Sequence, residues 1–405
     1  MNVQSIFLSR GMLAVMLAQF ISALADNALL FAAIALLQAG SAPAWQIPLL
    51  QEFFVIAYIA LAPFAGPFAD TLPKGRVMLI ANSMKFLGAA AMLSGLNPLL
   101  AYGMVGLGAA AYSPAKYGIL SELVATDKLV KANSLMEGST IVAILLGAVI
   151  GGWLADYWLA GALYAVAIAY LLAAAINLLI PRLPPAHPLT TFAPLSMCRD
   201  FIQATRKLMR DPDARFSIIG TSIFWGAGST LRFLLVAWVP VALHIQDLST
   251  PANLSGAVAI GIAIGAIAAA RWVELHTVNR ALPAGVLIGL AIMAFAYTSN
   301  IYMAIACLLL IGLLGGFYAV PLNALLQERG HQSVGSGHAI AIQNLFENLS
   351  MLLLMGVYIL LSKQQLPIIP IMMTIGGLVF IATGSLAWSR IRKGNWVGNI
   401  LHRIQ

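Results

Sequence analysis

The sequence predicts an all-α membrane protein: twelve transmembrane helices in two six-helix halves, with both termini cytoplasmic. Three observations predict it. Of 405 residues, 61% are hydrophobic and 9% charged, whereas soluble domains carry about 45–50% apolar and about a quarter charged residues. The apolar residues fall in twelve blocks, each close to the roughly 20 residues that a helix needs to cross a bilayer. Lysine and arginine gather in alternate loops. Disorder, a collagenous fibre and a nucleic-acid-binding domain are excluded by the composition. The net charge of +8 reflects cytoplasmic loops, not a nucleic-acid partner. A β-barrel would alternate apolar and polar residues instead of running in long apolar blocks.

The first block, 11–38, follows Arg10. It is longer than a signal-peptide core and leads into further membrane segments, so it reads as a retained first helix. Blocks at 47–70, 76–96, 99–119, 134–156 and 160–180 complete the first half, residues 1–180. The stretch 181–214 opens Pro-rich, as a linker. It continues with Met197, Phe201, Ala204 and Leu208 at helical spacing beside Arg199, Arg206, Lys207 and Arg210. That pattern predicts an amphipathic helix over 195–210 on the cytoplasmic membrane surface. Blocks at 215–243, 255–273, 281–298, 301–325, 337–362 and 367–389 form the second half, within residues 215–405.

Charge placement sets the orientation. Lys74 and Arg76 follow the second block, Lys128 and Lys131 the fourth, and Arg271 and Arg280 the eighth. Arg329 follows the tenth and Arg390, Arg392, Lys393 and Arg403 the twelfth, while Arg182, Arg199, Arg206, Lys207, Arg210 and Arg215 line the central stretch. The alternate loops hold Lys363 alone. The bias toward one side places both termini in the cytoplasm.

The halves resemble each other. Gly106, Tyr112, Leu120 and Glu122 match Gly312, Tyr318, Leu326 and Glu328 at a constant offset of 206, as expected where two repeats pack around a central path. Gly147, Gly151 and Gly152 in the fifth helix and Gly261 and Gly265 in the eighth allow close helix approach, either as static packing or as a sliding seam.

Chemistry-bearing motifs are sparse. Cys198 and Cys307 give no disulfide framework. The six histidines show no metal-ligand spacing and no acyltransferase-like His with an Asp five residues later. No Gly-x-Ser-x-Gly elbow and no Walker-type run occurs. Gly106-x-Gly108-x-x-Ala111 lacks the strand–helix context of a dinucleotide site. No catalytic activity, metal or cofactor is expected.

Ionisable groups at membrane depth are costly unless paired or wetted, and mark function by default. Asp26 with Asn27 interrupts the first helix, Arg232 the seventh and Lys85 the third; Lys116 lies near the cytoplasmic end of the fourth. Gln343, Asn344, Glu347 and Asn348 share one face of the eleventh helix. Each reads either as a functional group or as a structural pair fastening two helices. Lys116 reads as a phosphate guide, an inward-side gate or an interfacial anchor. Glu52 and Glu137 are shallow and carry no assignment.

The loop after the second helix holds Gly66, Asp70, Gly75 and Arg76. It resembles the loop motif of the major facilitator superfamily, with two extra residues between Asp70 and the Gly-Arg pair. Its acid can meet a helix N-terminus or a neighbouring base. Longer segments carry a closer resemblance. Asp26-Asn-Ala-Leu-Leu-Phe-Ala, Ala111-Tyr-Ser-Pro-Ala-Lys116-Tyr-Gly, Phe224-Trp-Gly-Ala-Gly-Ser-Thr-Leu-Arg232 and Val320-Pro-Leu-Asn-Ala-Leu-Leu-Gln-Glu-Arg look like the bacterial lysophospholipid transporters of that superfamily. The resemblance implies a major-facilitator fold in the bacterial cell inner membrane. It implies transfer of lysophospholipids, lyso-phosphatidylethanolamine and lyso-phosphatidylglycerol, from the outer to the inner leaflet without ATP. A separate acyltransferase/acyl-carrier-protein synthetase would then restore the missing chain. Substrate and surrounding membrane lipids are the expected partners, with the chain a monomer. A carrier for another small amphipathic solute is the alternative.

On that reading Asp26 and Arg232 matter most. At about 1.5 Å per residue they lie about 22 Å and about 26 Å along their helices, at or beyond the middle of a core about 30 Å thick. Opposite charges at matching depth can pair in the empty site. With substrate bound, Arg232 would grip phosphate bidentately and Asp26 would receive the ammonium. Asn27, Gln343, Asn344, Glu347 and Asn348 would hold glycerol and water.

Overall fold

The computed structural model describes residues 10–124, 129–181 and 193–404. Arg182, Lys128 and the start of the linker lie outside the described residues, as do the side chains of Asp70, Lys131 and Glu137.

Among the described residues the chain forms thirteen α-helices and no strand. They are α1 Arg10–Ala39, α2 Leu49–Thr71, α3 Lys74–Leu93, α4 Pro98–Leu123, α5 Leu129–Tyr157, α6 Leu159–Asn177, α7 Pro194–Arg210, α8 Pro212–Ala242, α9 Ser249–Trp272, α10 Leu282–Phe295, α11 Ile301–Ser333, α12 Ser336–Lys363 and α13 Ile368–Ile404. Ten of them, and α10 together with the 3-10 segment Leu275–Ala281 before it, are long and apolar enough to cross a membrane. α7 is charged along one side and is not among them. Nor is α4, whose Gly103, Gly106, Gly108, Tyr112, Ser113 and Pro114 dilute its hydropathy.

Local chemistry sets the helix starts. Asn97 accepts the Leu99 N–H at 2.9 Å and Pro98 follows it, so α4 begins there. Asp211 accepts the N–H groups of Asp213 at 2.8 Å and Ala214 at 3.0 Å, with Pro212 at the first helical position of α8. Asn300 caps α11 through the Tyr302 N–H. These side chains satisfy donors that a helix N-terminus leaves open, and proline there forfeits none. α9 starts earlier than its apolar block because Asp156 of α5 accepts the N–H groups of Leu248 and Ser249, each at 2.8 Å. α11 runs beyond its apolar block, through Gln327–Ser333, because helical hydrogen bonding continues where polar residues replace apolar ones.

The chain divides into two compact units: Met1–Ala204 with Asp247–Gly256, and Thr205–Gln246 with Ala257–Gln405. In the first, α1 packs on α5 and α6, and α3 on α4 and α6. In the second, α8 packs on α12 and α13, and α10 on α11 and α13. The internal plan is the same, which is the structural form of the sequence repeat. Buried cores are apolar: Met12, Val15, Val77, Met78, Ala81, Ile119 and Leu120 form one cluster in the first unit. Large apolar side chains also cover the outside, among them Leu17, Ile56, Leu87, Ile168 and Leu353. Trp153, Tyr157 and Trp158 stand exposed together at the end of α5, where aromatic rings suit a membrane–water boundary.

Glycines hold the closest helix pairs. A Cβ on Gly106 would lie 2.8 Å from the Phe54 carbonyl oxygen, and one on Gly151 2.9 Å from that of Ala28. In the second unit Gly261 and Gly265 of α9 face Gly312 and Gly316 of α11, backbone against backbone. A Cβ on Gly265 would stand 2.8 Å from the Phe317 nitrogen, with no flexible side chain there to yield. Gly265→Ala is therefore expected to cost about 1–3 kcal/mol. The drop will register as a lowered Tm of the purified protein in detergent; an unchanged Tm would remove the seam from the fold's supports.

Candidate functional site

Among the described residues, a dense polar cluster at membrane depth is built from α1, α3, α4 and α6. Asp26 on α1 faces Lys85 on α3, Oδ2 to Nζ, at 2.7 Å. The Tyr170 hydroxyl on α6 donates to the other carboxylate oxygen at 2.7 Å. Lys85 also donates to the Ser22 hydroxyl at 3.1 Å, and Ser22 in turn donates to Asn82 Oδ1 at 2.7 Å. The ammonium stands 5.1 Å from the centre of the Tyr112 ring and 5.8 Å from that of Tyr170. Lys85 is 2% exposed and Asp26 24%. The cation is enclosed while the carboxylate keeps an open edge.

The surrounding sequence makes room for this. Gly108 lets α4 pass Lys85, since a Cβ there would lie 2.8 Å from Lys85 Cγ. Ser22, Asp26, Asn82 and Lys85 sit at helical spacings of four and three, which puts each pair on one face. Asn27 turns away from Asp26's partners: its amide donates to the Ala23 carbonyl at 2.8 Å, and its Cβ borders Gly147.

Lys116, 8% exposed, donates to the Thr140 hydroxyl on α5 at 3.3 Å and stacks over the Tyr117 ring at 4.6 Å. Gln19 on α1 reaches the same hydroxyl at 2.5 Å. In the second unit Arg232 is half-buried on α8. On α12 the Gln343 amide donates to Glu347 at 2.7 Å and to Asn323 on α11 at 2.8 Å. Asn348 donates to the Asn344 carbonyl at 2.7 Å. Glu347 and Asn348 are each 8% exposed. The stripe is thus knit together along α12 and tied to α11.

In the loop motif Gly66 meets nothing close, Gly75 lies against Ile180, and Arg76 is exposed. Lys74, which the sequence reading treated only as a topology marker, is 5% exposed and pairs with Glu122 at 3.1 Å. Its stem fills the space that Gly118 leaves. At the matching end of the second unit, Asp213 binds both Arg329 and Arg390, and the Arg390 guanidinium lies 4.8 Å from the Phe216 ring. Sequence reasoning missed Tyr170, Ser22, Asn82 and Asp213. The first three carry no charge at membrane depth, and Asp213 lies in the first turn of α8, where an acid is ordinary.

This all-helical, two-unit architecture with charges fixed at membrane depth defines a secondary transporter. The chain matches the Major Facilitator Superfamily over residues 15–355 and belongs to it. It is 56% identical over 383 residues to the protein named lysophospholipid transporter LplT of Escherichia coli O1:K1 / APEC, covering 94% of this chain and 96% of that one. The protein of the same name from Enterobacter sp. (strain 638) is 56% identical over 385 residues, covering 95% and 97%. Among solved structures, a POT family transporter in complex with 5-aminolevulinic acid superposes with a TM-score of 0.77 at 12% identity, covering 92% of this chain and 94% of that one. The nucleoside transporter NupG superposes at 0.71 and 11% identity, covering 92% and 97%. These two likenesses establish the fold alone. The protein is a multi-pass membrane protein.

Removing Asp213 would leave Arg329 and Arg390 facing each other without the acid that joins them. Asp213→Asn is expected to cost about 1–2 kcal/mol, read as a lowered Tm in detergent. The difference from the unaltered protein should shrink at high salt, because the groups are partly exposed; a difference that salt leaves untouched would deny the electrostatic origin.

Proposed function

We propose that the chain is a lysophospholipid transporter. It transfers lyso-phosphatidylethanolamine and lyso-phosphatidylglycerol from the outer to the inner leaflet of the bacterial inner membrane by alternating access, without ATP. A separate acyltransferase/acyl-carrier-protein synthetase then consumes the product. The observation that carries this reading is 56% identity, across 94% of the chain, with proteins named for that transport. Asp26 supports it: a carboxylate at membrane depth with an open edge is what an ammonium headgroup requires.

In this reading α4 is a twelfth span, both termini are cytoplasmic, and 181–214 is a cytoplasmic linker joining two six-helix halves. α7 lies on the membrane surface there. Asp26 receives the ammonium and Arg232 binds phosphate, for which a planar guanidinium is better suited than a lysine. Asn27, Gln343, Asn344, Glu347 and Asn348 meet glycerol and water. Lys116 guides the phosphate out on the inner side. Gly66, Asp70, Gly75 and Arg76 serve the inner-side gate, and Lys85 fastens α3 to α1 at Asp26.

The test is purified protein in liposomes that carry labelled lysolipid in one leaflet. Leaflet transfer with the lipid chemically unchanged is the expected result. Absence of transfer would redirect the search to another amphipathic solute, and a changed lipid would indicate an enzyme. Asp26→Ala and Arg232→Ala should each lower transfer by about 30-fold or more while the protein still inserts, and Arg232→Lys should recover little. Asp26→Asn should harm lyso-phosphatidylethanolamine more than lyso-phosphatidylglycerol, whose headgroup lacks the ammonium.

Lys116→Ala is expected to slow appearance in the inner leaflet severalfold while equilibrium binding of lysolipid changes less. Single-turnover transfer measured beside binding separates the two; transfer at the normal rate would leave Lys116 as an anchor.

A further inference from the structure

We propose that Lys85 determines headgroup specificity by positioning and neutralising Asp26. The proposal rests on the lysolipid reading above and assigns to Lys85 a role beyond a helix contact.

The geometry of the ammonium carries the argument. A lysine ammonium has three donors and no acceptor. For Lys85 one direction is taken by Asp26 at 2.7 Å and one by Ser22 at 3.1 Å. The remaining side faces the Tyr112 and Tyr170 rings, with centroids at 5.1 Å and 5.8 Å. Aromatic faces attract a cation without accepting a proton from it. The side chain is 2% exposed, so a substrate reaches Asp26 and not Lys85. The Tyr170 hydroxyl holds the second carboxylate oxygen at 2.7 Å, which fixes the plane of the group. Each carboxylate oxygen retains a further acceptor position, and Asp26 is 24% exposed.

A headgroup therefore meets a pair of net charge zero, not a bare anion. A lone carboxylate at this depth would attract an ammonium strongly and repel an anionic headgroup strongly, because screening inside the protein is weak. With Lys85 directly behind it, both effects are reduced. An ammonium can still take the open edge of Asp26, and a headgroup of net negative charge is not expelled. Lys85 thus widens the range of headgroups to include the anionic class, and Asp26 without Lys85 would narrow it to the zwitterionic class. Asp26→Asn and Lys85→Gln shift the preference in opposite directions.

The experiment measures transfer of lyso-phosphatidylethanolamine and lyso-phosphatidylglycerol by the full chain in liposomes, in parallel, for four proteins. Lys85→Gln is expected to raise the ratio of the first rate to the second by about tenfold over the unaltered protein. Lys85→Arg, which keeps the charge, should hold the ratio within about twofold. The double variant Asp26→Asn/Lys85→Gln presents no net charge, and its ratio should return toward that of the unaltered protein even though both rates are low. Should Lys85→Gln not insert, the Lys85→Arg and double-variant ratios decide. An equal loss for both lipids in Lys85→Gln, or a double variant as selective as Lys85→Gln, overturns the proposal and leaves Lys85 as a fastener of α1 to α3. If the unaltered protein moves neither lipid, the transport reading itself fails, and the proposal with it.

Discussion

An ammonium on a membrane-crossing helix has to be met by an anion, and in this protein Lys85 is met by Asp26. Much of the first unit follows from that requirement. Holding the pair at 2.7 Å fixes how α1 lies against α3. The Tyr170 hydroxyl brings α6 to the same carboxylate, and Ser22 with Asn82 repeats the α1–α3 link close beside it. Gly108 is needed on α4 because the lysine stem occupies the space where a side chain would stand. Packing alone would leave these four helices free to rotate a little about their axes. The polar contacts, each costly to leave unsatisfied in an apolar interior, do not.

The two units follow one plan with different chemistry at corresponding points. Tyr112 and Tyr318 occupy matching sequence positions and both are buried. The ring of Tyr112 borders an ammonium, whereas Tyr318 lies against Gly220 and Gly285. At the helix ends, Lys74 with Glu122 serves the first unit, and Asp213 between two arginines serves the second. Repetition preserved the packing frame, and each copy placed its own charges within it.

The helices were legible from the sequence because hydropathy reports directly on burial in lipid, and twelve apolar blocks each fall on a helix. α4 is the instructive case: its glycines and tyrosines, which lower its hydropathy, are the residues that pack it against α2 and around Lys85. Asp26 was legible as a site residue because a carboxylate in an apolar run is conspicuous. Its partner was not. Matching depth pointed to Arg232 as the opposite charge, with Lys85 read only as a separate group on α3, and which helix faces α1 depends on tertiary packing that no local pattern encodes. Tyr170 was illegible for another reason: in a helix rich in leucine and alanine a tyrosine reads as bulk, and its hydroxyl becomes informative only beside a carboxylate.

The α9–α11 seam has a mechanical consequence. Where Gly261 and Gly265 meet Gly312 and Gly316, the two surfaces are main chain on main chain. Interdigitated side chains would act as teeth, so that moving one helix along the other meant lifting every tooth from its socket. Close backbone contact is smoother and draws on many weak attractions, including Cα–H···O contacts. It resists separation: no flexible side chain stands between the helices to rotate away, so their spacing is set by the main chains themselves.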